Sequence, residues 1–324
     1  MSSSTKPKIL VVGELNVDII LNQIEGYPQI GKEVLAQNLT MTLGSSSAIF
    51  ASNLSALGSE VHFFGKVGKD IFGNFVKNAL QRKNINISNV LESEHNFTGA
   101  TIVLNYDTDR AMVTAQGAMM DLSEDEISDE KLSTFSHLHV SSIFLQPQLK
   151  KGIYNLFERA KKLGLSTSLD SQWDPEEKWN LDLEKLLPNL DVFIPNNKEF
   201  LFLTKSESIE SGLEKVAHFA NIVVIKDGEN GAKFWKNHQI GSQKAYLNTQ
   251  VVDCIGAGDS FDAGFIHTYL QKNSLEDCVD FANICGAMNT TSAGGTSIFE
   301  FMENFKIIAK NKFQYEFKTE ITVQ

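Results

Sequence analysis

The chain has 324 residues, of which 42% are hydrophobic and 21% charged. This composition excludes fibrous and intrinsically disordered classes, and the length suits two average domains or one large α/β domain. The net charge of −11 leaves too little basic surface for nonspecific binding to nucleic acid or anionic membranes. The 3 cysteines lie far from any C-x-x-C spacing, which argues against a disulfide framework or a structural zinc site.

The first residues are not expected to form a targeting segment. The only continuous apolar run there is 9–12, before Gly13, which is too short for a signal-peptide core. No stretch of the sequence approaches the ~18 uninterrupted apolar residues of a membrane span. We therefore predict a cytoplasmic protein with no membrane partner and a solvated terminus at residues 1–7.

Short apolar runs alternate with helical patterns along most of the chain. Apolar residues recur at three- and four-residue steps in 71–80 and 149–163, which predicts helices there. Strand–helix alternation predicts a mainly parallel sheet with helices on both faces. The predicted buried strands are 9–12, 61–64, 137–140, 165–169, 192–194 and 222–225.

Two segments depart from this alternation. Residues 38–43 alternate polar and apolar side chains, as a strand with one covered face does. Residues 101–106 and 111–113 flank the polar turn Asp107-Thr108-Asp109-Arg110, which predicts a hairpin. Together they predict a small β-sheet lid from segments near 14–43 and 98–116. The lid would project from one large domain that covers residues 1–324.

The most informative segment is a glycine-rich turn, D-C-I-G-A-G-D at 253–259, followed by a helical pattern that we expect to begin near Asp259. Gly256 and Gly258 let the backbone present consecutive N–H groups at the positive end of that helix, which makes an anion site. A carboxylate at its rim can take the proton of an attacking hydroxyl. On spacing alone, Asp259 is equally well a helix N-cap.

This turn resembles the D-T-x-G-A-G-D motif of ribokinase-like (PfkB-type) carbohydrate kinases, with Cys254 in place of the usual Thr. The resemblance extends over about residues 8–300 and implies a three-layer α/β fold with a small β lid. Five further segments resemble family motifs in the same order: G-E-L-N-V-D at 13–18, G-S-S-S-A at 44–48, F-G-K-V-G-K-D-I-F-G at 64–73, P-N-N-K-E at 195–199 and V-I-K-D-G-E-N-G-A at 224–232.

The resemblance implies an enzyme that uses ATP and Mg²⁺ and transfers the γ-phosphoryl group to a hydroxymethyl group of a sugar. Asp259 would be the catalytic base, and the N–H groups of 255–258, with Gly256, Ala257 and Gly258, would form the anion hole. The other implied site residues are Asn16, Asp18, Gly44, Ser45 and Ser46 for the sugar, Asn196, Lys226, Gly228, Gly231, Asn283 and Gly294 for the nucleotide, Glu199 for Mg²⁺ through water, and Asp253 and Ile255 for a monovalent cation such as K⁺.

Structural roles stay open for several of these residues. Asn196 and Glu199 also fit a solvated helix start, with Glu199 as a first-turn acid. Asp18 also fits a turn after the first strand, and Gly228 and Gly231 fit an ordinary hairpin.

The early glycine motif departs from the family pattern. Ser45 stands where the second glycine is usual, Ile49 replaces the sugar-binding Asn, and Ser46 replaces the ribokinase-type Lys. No acid follows the strand near 137–142, where ribokinase offers a Glu to the sugar. A pocket that loses hydrogen-bonding partners changes its preferred substrate, so we expect a sugar other than ribose.

Two alternatives to a sugar kinase follow from these changes. A nucleoside kinase of the same fold is the first, because the apolar Ile49 and Phe50 would favour a base. The second is a non-catalytic sugar- or nucleotide-binding regulator, although binding alone does not require Asp259.

The resemblance also implies a homodimer in which lid strands of two subunits pair, which would cover exposed strand edges. Arg110, in the lid turn, would then reach a ligand or act as a solvated turn residue. His137 and His139 share one face of a strand, but no third ligand accompanies them, so we expect core or surface histidines rather than a metal site.

Overall fold

The structure is a computed structural model and describes residues 6–106 and 109–317. Within these ranges the strands are β1 (Lys8–Val12), β2 (Asn16–Ile24), β3 (Ala36–Leu43), β4 (Glu60–Gly68), β5 (Asn86–Ser93), β6 (Gly99–Tyr106), β7 (Asp109–Ala115), β8 (His137–Ser141), β9 (Ser166–Asp170), β10 (Val192–Phe193), β11 (Ile222–Lys226), β12 (Ala232–Lys236) and β13 (Gln239–Gln243). The α-helices are α1 (Ser46–Ala56), α2 (Ile71–Arg82), α3 (Asp129–Leu132), α4 (Pro147–Lys162), α5 (Leu183–Leu186), α6 (Asn197–Thr204), α7 (Ile209–Val216), α8 (Ala257–Leu270), α9 (Leu275–Asn289) and α10 (Met302–Phe313).

A nine-stranded sheet forms the centre, in the order β13-β12-β11-β10-β9-β8-β1-β4-β5. The strands from β11 to β5 run parallel, and β12 and β13 add antiparallel strands at one edge. Ile9 and Val11 of β1 join one apolar core, whereas Leu10 and Val12 join another on the opposite face. Because helices cover both faces, every residue of that run is buried, and the predicted three-layer α/β architecture is confirmed.

A second sheet has the order β3-β2-β6-β7, with β2 and β6 parallel and the outer pairs antiparallel. Its strands fall within the segments 14–43 and 98–116. Thr42, Asp18, Thr101 and Thr114 lie side by side across the four strands, which gives one face a polar row. Of the turn predicted at 107–110, residues 107 and 108 lie outside the described residues.

The apolar runs located the central strands well, and the edge strands poorly. The six predicted runs coincide with β1, β4, β8, β9, β10 and β11, and the two helical patterns with α2 and α4. The sequence reading missed β5, β12 and β13. The edge strands β5 and β13 are partly solvated and carry many polar residues, so they lack a continuous apolar run.

Two fully buried histidines join β8 to β9. His137 contacts Ser166 Oγ and Ser168 Oγ, each at 2.8 Å, and His139 contacts Ser168 Oγ at 2.7 Å and Ser141 Oγ at 2.8 Å. Burial lowers the pKa of His137 to about 3, so its ring is neutral near pH 7. These are core histidines, and within the described ranges no group of three or more His, Cys, Asp or Glu side chains is placed to hold a metal ion.

Among the helices in residues 6–106 and 109–317, none combines the length and the apolar character that a membrane crossing requires.

Candidate active site

Charged side chains converge at the carboxyl ends of three parallel strands. Glu14 follows β1, Asp170 ends β9 and Lys226 ends β11. The first turn of α8 brings Asp259 to the same place. Crevices outside the carboxyl ends of parallel strands are where α/β folds bind ligands, so this edge is the candidate active site.

The glycine-rich turn starts α8 in a way that only glycine permits. Gly256 is the N-cap and has φ +76°, and a Cβ on it would lie 2.7 Å from Gly295 Cα. Asp259 is therefore the third residue of the helix, so the N-cap alternative is wrong for this residue. Among the described residues, no backbone acceptor contacts the N–H groups of Gly256 and Gly258, whereas Ile255 N–H donates to Asp253 Oδ1 at 2.9 Å.

Asp259 is a buried carboxylate surrounded by charges of both signs. Its side chain is almost fully enclosed, and its Oδ1 accepts a hydrogen bond from Gln172 Nε2 at 3.0 Å. Burial and then the nearby Asp170 raise the pKa of Asp259 well above its ordinary value, while Lys226 opposes them. A raised pKa makes the carboxylate a stronger base toward a hydroxyl group.

Lys226 ties two strands to α8. Its Nζ donates to Asp170 Oδ2 at 2.8 Å and to the two oxygens of Asp262 at 3.1 and 3.0 Å. Burial favours the neutral amine, but Asp170, Asp262 and Glu199 outweigh it and raise the pKa of Lys226. A Cβ placed on Gly258 would lie 3.7 Å from this ammonium, so a fixed positive charge lies beside the glycine-rich turn.

Three of the residues predicted to bind sugar contact one another. Asn16 Nδ2 donates to Asp18 Oδ1 at 2.9 Å and to Thr101 Oγ1 at 3.1 Å. A side chain on Gly44 would collide with Asp18 Oδ1 and would lie 2.6 Å from Asn16 Nδ2, so glycine lets this loop close onto the lid strand. Burial raises the pKa of Asp18 to about 6.

The two serines beside them have different surroundings. Ser45 is the N-cap of α1, where it accepts from Ala48 N at 2.9 Å and donates to Glu14 O at 2.6 Å. Its hydroxyl is therefore engaged in holding the helix start. Ser46 lies near the carboxyl group of Asp259 and partly opposes the rise of its pKa, so the early glycine motif and the late one meet at Asp259.

Asn196 and Glu199 form a reciprocal capping box at the start of α6. Asn196 Oδ1 accepts from Glu199 N, and Glu199 Oε2 accepts from Asn196 N, both at 2.9 Å. The alternative of a helix start is present, but it is not solvated, because Glu199 is only 3% exposed. Burial, followed by repulsion from Asp170, raises the pKa of Glu199 to about 7.

Three of the residues predicted to line the nucleotide lie in the β11–β12 turn and on α9. Gly228 has φ +55° and open space where a side chain would be, whereas a side chain on Gly231 would collide with Gln243 O. The hairpin itself therefore requires Gly231. Asn283 Nδ2 contacts Gln243 O at 3.4 Å and Lys244 O at 3.2 Å, so this amide joins α9 to the chain after β13.

The residues predicted to bind a monovalent cation close a loop beneath the glycine-rich turn. Besides its bond to Ile255 N, Asp253 accepts from Gly294 N at 3.0 Å, so its carboxylate joins the two predicted segments. The carbonyl oxygen of Ile255 accepts from Asn289 Nδ2 at 2.6 Å. The binding of a cation by these oxygens stays a prediction.

Four residues of this cluster were not identified from the sequence: Glu14, Asp170, Gln172 and Asp262. A usable signal existed for three of them. Glu14 and Asp170 stand at the carboxyl ends of predicted parallel strands. For Asp262 the signal was its position one helical turn after Asp259. Gln172 lies in an irregular loop that no sequence pattern placed near Asp259.

The chain belongs to the pfkB family of carbohydrate kinases: the family model described as "pfkB family carbohydrate kinase" matches residues 6–301. It is thus an enzyme of the carbohydrate kinase class, and the predicted family is confirmed. An uncharacterized sugar kinase of Archaeoglobus fulgidus is 29% identical over 235 residues, which cover 72% of this chain and 92% of that protein.

Two solved structures share the fold. Arabidopsis thaliana ribokinase complexed with ribose and ATP has a TM-score of 0.78 at 23% identity, over 92% of this chain and 100% of that one. A candidate ribokinase II from E. coli in complex with ATP and Mg²⁺ has a TM-score of 0.80 at 21% identity, over 94% of this chain and 99% of that one. The predicted ribokinase-like fold is confirmed.

Proposed function

We propose that this protein, as a single domain over residues 1–324, transfers the γ-phosphoryl group of ATP to a hydroxymethyl group of a sugar. The observation that carries the proposal is Asp259, a buried carboxylate in the first turn of α8, beside the N–H groups of Gly256 and Gly258. The ATP found with the two ribokinase-fold structures supports the choice of phosphoryl donor.

In this mechanism the acceptor hydroxyl lies between the polar row of the lid and Asp259. As its oxygen attacks the γ-phosphorus, the bond from that phosphorus to the bridging oxygen of ADP breaks, and Asp259 takes the hydroxyl proton. The N–H groups of Gly256 and Gly258 stabilise the charge on the transferring phosphoryl oxygens. Lys226 adds a fixed positive potential from below the turn. The products are ADP and the sugar phosphate.

The surroundings of Glu199 fit a magnesium ion held through water. Mg²⁺ prefers oxygen ligands and usually keeps several waters. Glu199 is a buried carboxyl group, and burial and the nearby Asp170 raise its pKa to about 7. A cation bound nearby would therefore favour its ionised form. We propose that Glu199 and Asn196 hold the ion through its waters. When bound, Mg²⁺ neutralises charge on the phosphates.

The structure weakens the argument for a nucleoside substrate. That alternative depended on Ile49 and Phe50, and both are buried. A Cβ on Gly295 would lie 2.7 Å from Ile49 Cδ1, so Ile49 packs against the glycine turns, and Phe50 stacks on His139 at 3.8 Å between ring centroids. These side chains support the site from behind, and we propose a sugar acceptor.

A substrate panel tests the proposed reaction. Purified protein with ATP and Mg²⁺ should release ADP in the presence of one class among ketoses, aldoses, sugar acids and nucleosides. We expect a sugar or sugar acid to support release, and a nucleoside not to. ATP binding without ADP release across the whole panel would contradict the proposal and would favour the regulator, whereas release with nucleosides alone would favour the nucleoside kinase.

Sugar binding should depend on pH through Asp18. Its pKa is raised by burial to about 6, and only the ionised carboxylate accepts hydrogen bonds at both oxygens. Protonation therefore weakens binding, so KM for the sugar should rise by about tenfold per pH unit below that pKa. Asp18→Asn should bind more weakly at neutral pH and lack this step. Steady-state KM measured from about pH 5 to pH 8 checks the difference, and parallel profiles for the two proteins would contradict it.

The lid also supports a homodimer. On the face of the lid sheet opposite the polar row, the side chains of Leu39, Met41 and Val113 are 66%, 40% and 67% exposed. This is an unusual amount of apolar surface for one small sheet. We propose that two lids pack through this face in solution. Sedimentation velocity should give the mass of a dimer for the wild type and of a monomer for Leu39→Lys. A monomeric wild type at all concentrations would contradict the proposal.

The cytoplasmic location stays a prediction.

A further inference from the structure

The loop after β9 adopts an unusual backbone. Gln172, Glu177 and Trp179 have φ values of +58°, +52° and +50°. Side chains other than glycine are uncommon in this left-handed region, and residues held there cluster at functional sites. Three such residues within one short loop indicate that the surrounding structure imposes its shape.

The loop is braced by its own contacts. Within this irregular loop, the side chain of Asp174 accepts hydrogen bonds from Glu176 N at 3.0 Å and from Trp179 N at 2.7 Å. The ring of Trp179 is nearly buried and stacks on Phe202 of α6 at 5.0 Å between centroids, with 14° between the planes. These contacts hold the loop that carries Gln172 in a defined conformation.

Gln172 bridges two carboxylates. Its Nε2 donates to Asp170 Oδ2 at 2.6 Å and to Asp259 Oδ1 at 3.0 Å. An amide nitrogen carries two hydrogens, so both bonds can form at once. The reverse orientation would place the amide oxygen against two acceptors, so the chemistry of the pair fixes which way the side chain points. Asp170 is itself held by Lys226.

We infer that Gln172 is a positioning residue for phosphoryl transfer: its amide holds Oδ1 of Asp259 and so fixes the orientation of the carboxylate toward the acceptor hydroxyl. The inference rests on the proposed function, because it assigns to Asp259 the role of base. The chain Lys226–Asp170–Gln172–Asp259 connects the base to the central sheet. A displacement of about 1 Å at a reacting group costs on the order of 100-fold in rate, so the loss of this contact should be measurable.

Three single variants separate positioning from a general effect on the loop. Gln172→Glu keeps the length but replaces the donors by a carboxylate. Gln172→Asn keeps the amide and tolerates the left-handed backbone, but its side chain is one methylene shorter. Glu177→Asn is the matched control, because Glu177 shares the loop and the left-handed φ but contacts neither carboxylate.

The readout is the split between kcat and KM. We expect kcat to fall by about 100-fold in both Gln172 variants, with KM for ATP and sugar within a few-fold of wild type. Glu177→Asn should keep both constants. Wild-type kcat in Gln172→Asn, or equal losses in Glu177→Asn, would overturn the inference. If Gln172→Glu fails to fold because it adds a charge to the cluster, Gln172→Asn still decides.

A double-mutant cycle on folding stability distinguishes failure of this inference from failure of the proposed function. Urea unfolding is measured for wild type, Gln172→Asn, Asp259→Ala and the double variant. A direct hydrogen bond makes the two shifts in midpoint non-additive whether or not the protein phosphorylates a sugar. Additive shifts would overturn the contact on which the inference depends. Non-additive shifts in a protein without kinase activity would instead contradict the proposed function, and with it the catalytic role of the contact.

Discussion

Replacing Asp259 by Asn should lower kcat for sugar phosphorylation by about 10²- to 10⁴-fold, the usual contribution of a positioned general base. Asn has the same shape, and its Oδ1 can still accept from the Gln172 amide, but it cannot take a proton at neutral pH. KM for ATP and sugar should change little. The folded state should lose no stability near pH 7, because burial disfavours the ionised form of Asp259 that the substitution removes.

Steady-state kinetics, ATP binding by calorimetry and urea unfolding of the same preparations check this result. Asp129→Asn provides a matched control, because Asp129 is an exposed acid that pairs with Arg159 on the outside of the molecule. A fully active Asp259→Asn variant would show that another group accepts the proton. A variant that is inactive because it is unfolded would be recognised by its urea midpoint.

Replacing Lys226 by Met should lower the free energy of unfolding by about 3–5 kcal/mol, the cost of breaking a buried ion pair by removing one partner. The side chains of Asp170 and Asp262 are 1% and 2% exposed and would be left without their ammonium. Burial already raises the pKa of Asp262 well above its ordinary value. Without Lys226, both carboxylates would have to bind protons or draw water into the core.

Urea unfolding near pH 7 checks this stability loss, and Lys233→Met is the matched control. Lys233 lies on the neighbouring strand and pairs with Glu210 at the surface, so its loss should cost less than about 1 kcal/mol. Asp262→Asn, added to Lys226→Met, should restore part of the lost stability because it removes one unpaired charge. Equal effects of the two lysine substitutions would show that the buried network does not stabilise the fold.

The central architecture was predictable from sequence because burial on both faces leaves a continuous apolar run in each inner strand. The edge strand β13 escaped detection because its exposed side chains carry no such run. The helix pattern after the glycine turn placed the start of α8 within two residues. The periodicity of apolar residues therefore predicts a strand or helix wherever the segment is buried in the same way along its length.

The site was predictable only where one short segment holds both the backbone and the side chain of a motif, as the turn before Asp259 does. Asp170 and Gln172 are 87 or more residues from Asp259 along the chain and meet it through sheet topology. Nor could spacing show that Ile49 packs against the glycine turns instead of facing the pocket. Such contacts depend on the order of strands, which a linear pattern does not contain.

The candidate site combines two sheets that supply different groups. The strand β2 carries Asn16 and Asp18, whereas the large sheet and α8 hold Asp259 and Lys226. Under the proposed function, substitutions in the lid would alter which hydroxyl-bearing molecule is accepted, while Asp259 and the turn beside it stay unchanged. The proposed function thus assigns the choice of acceptor and the transfer of the phosphoryl group to separate parts of the fold, and each part can be changed without the other.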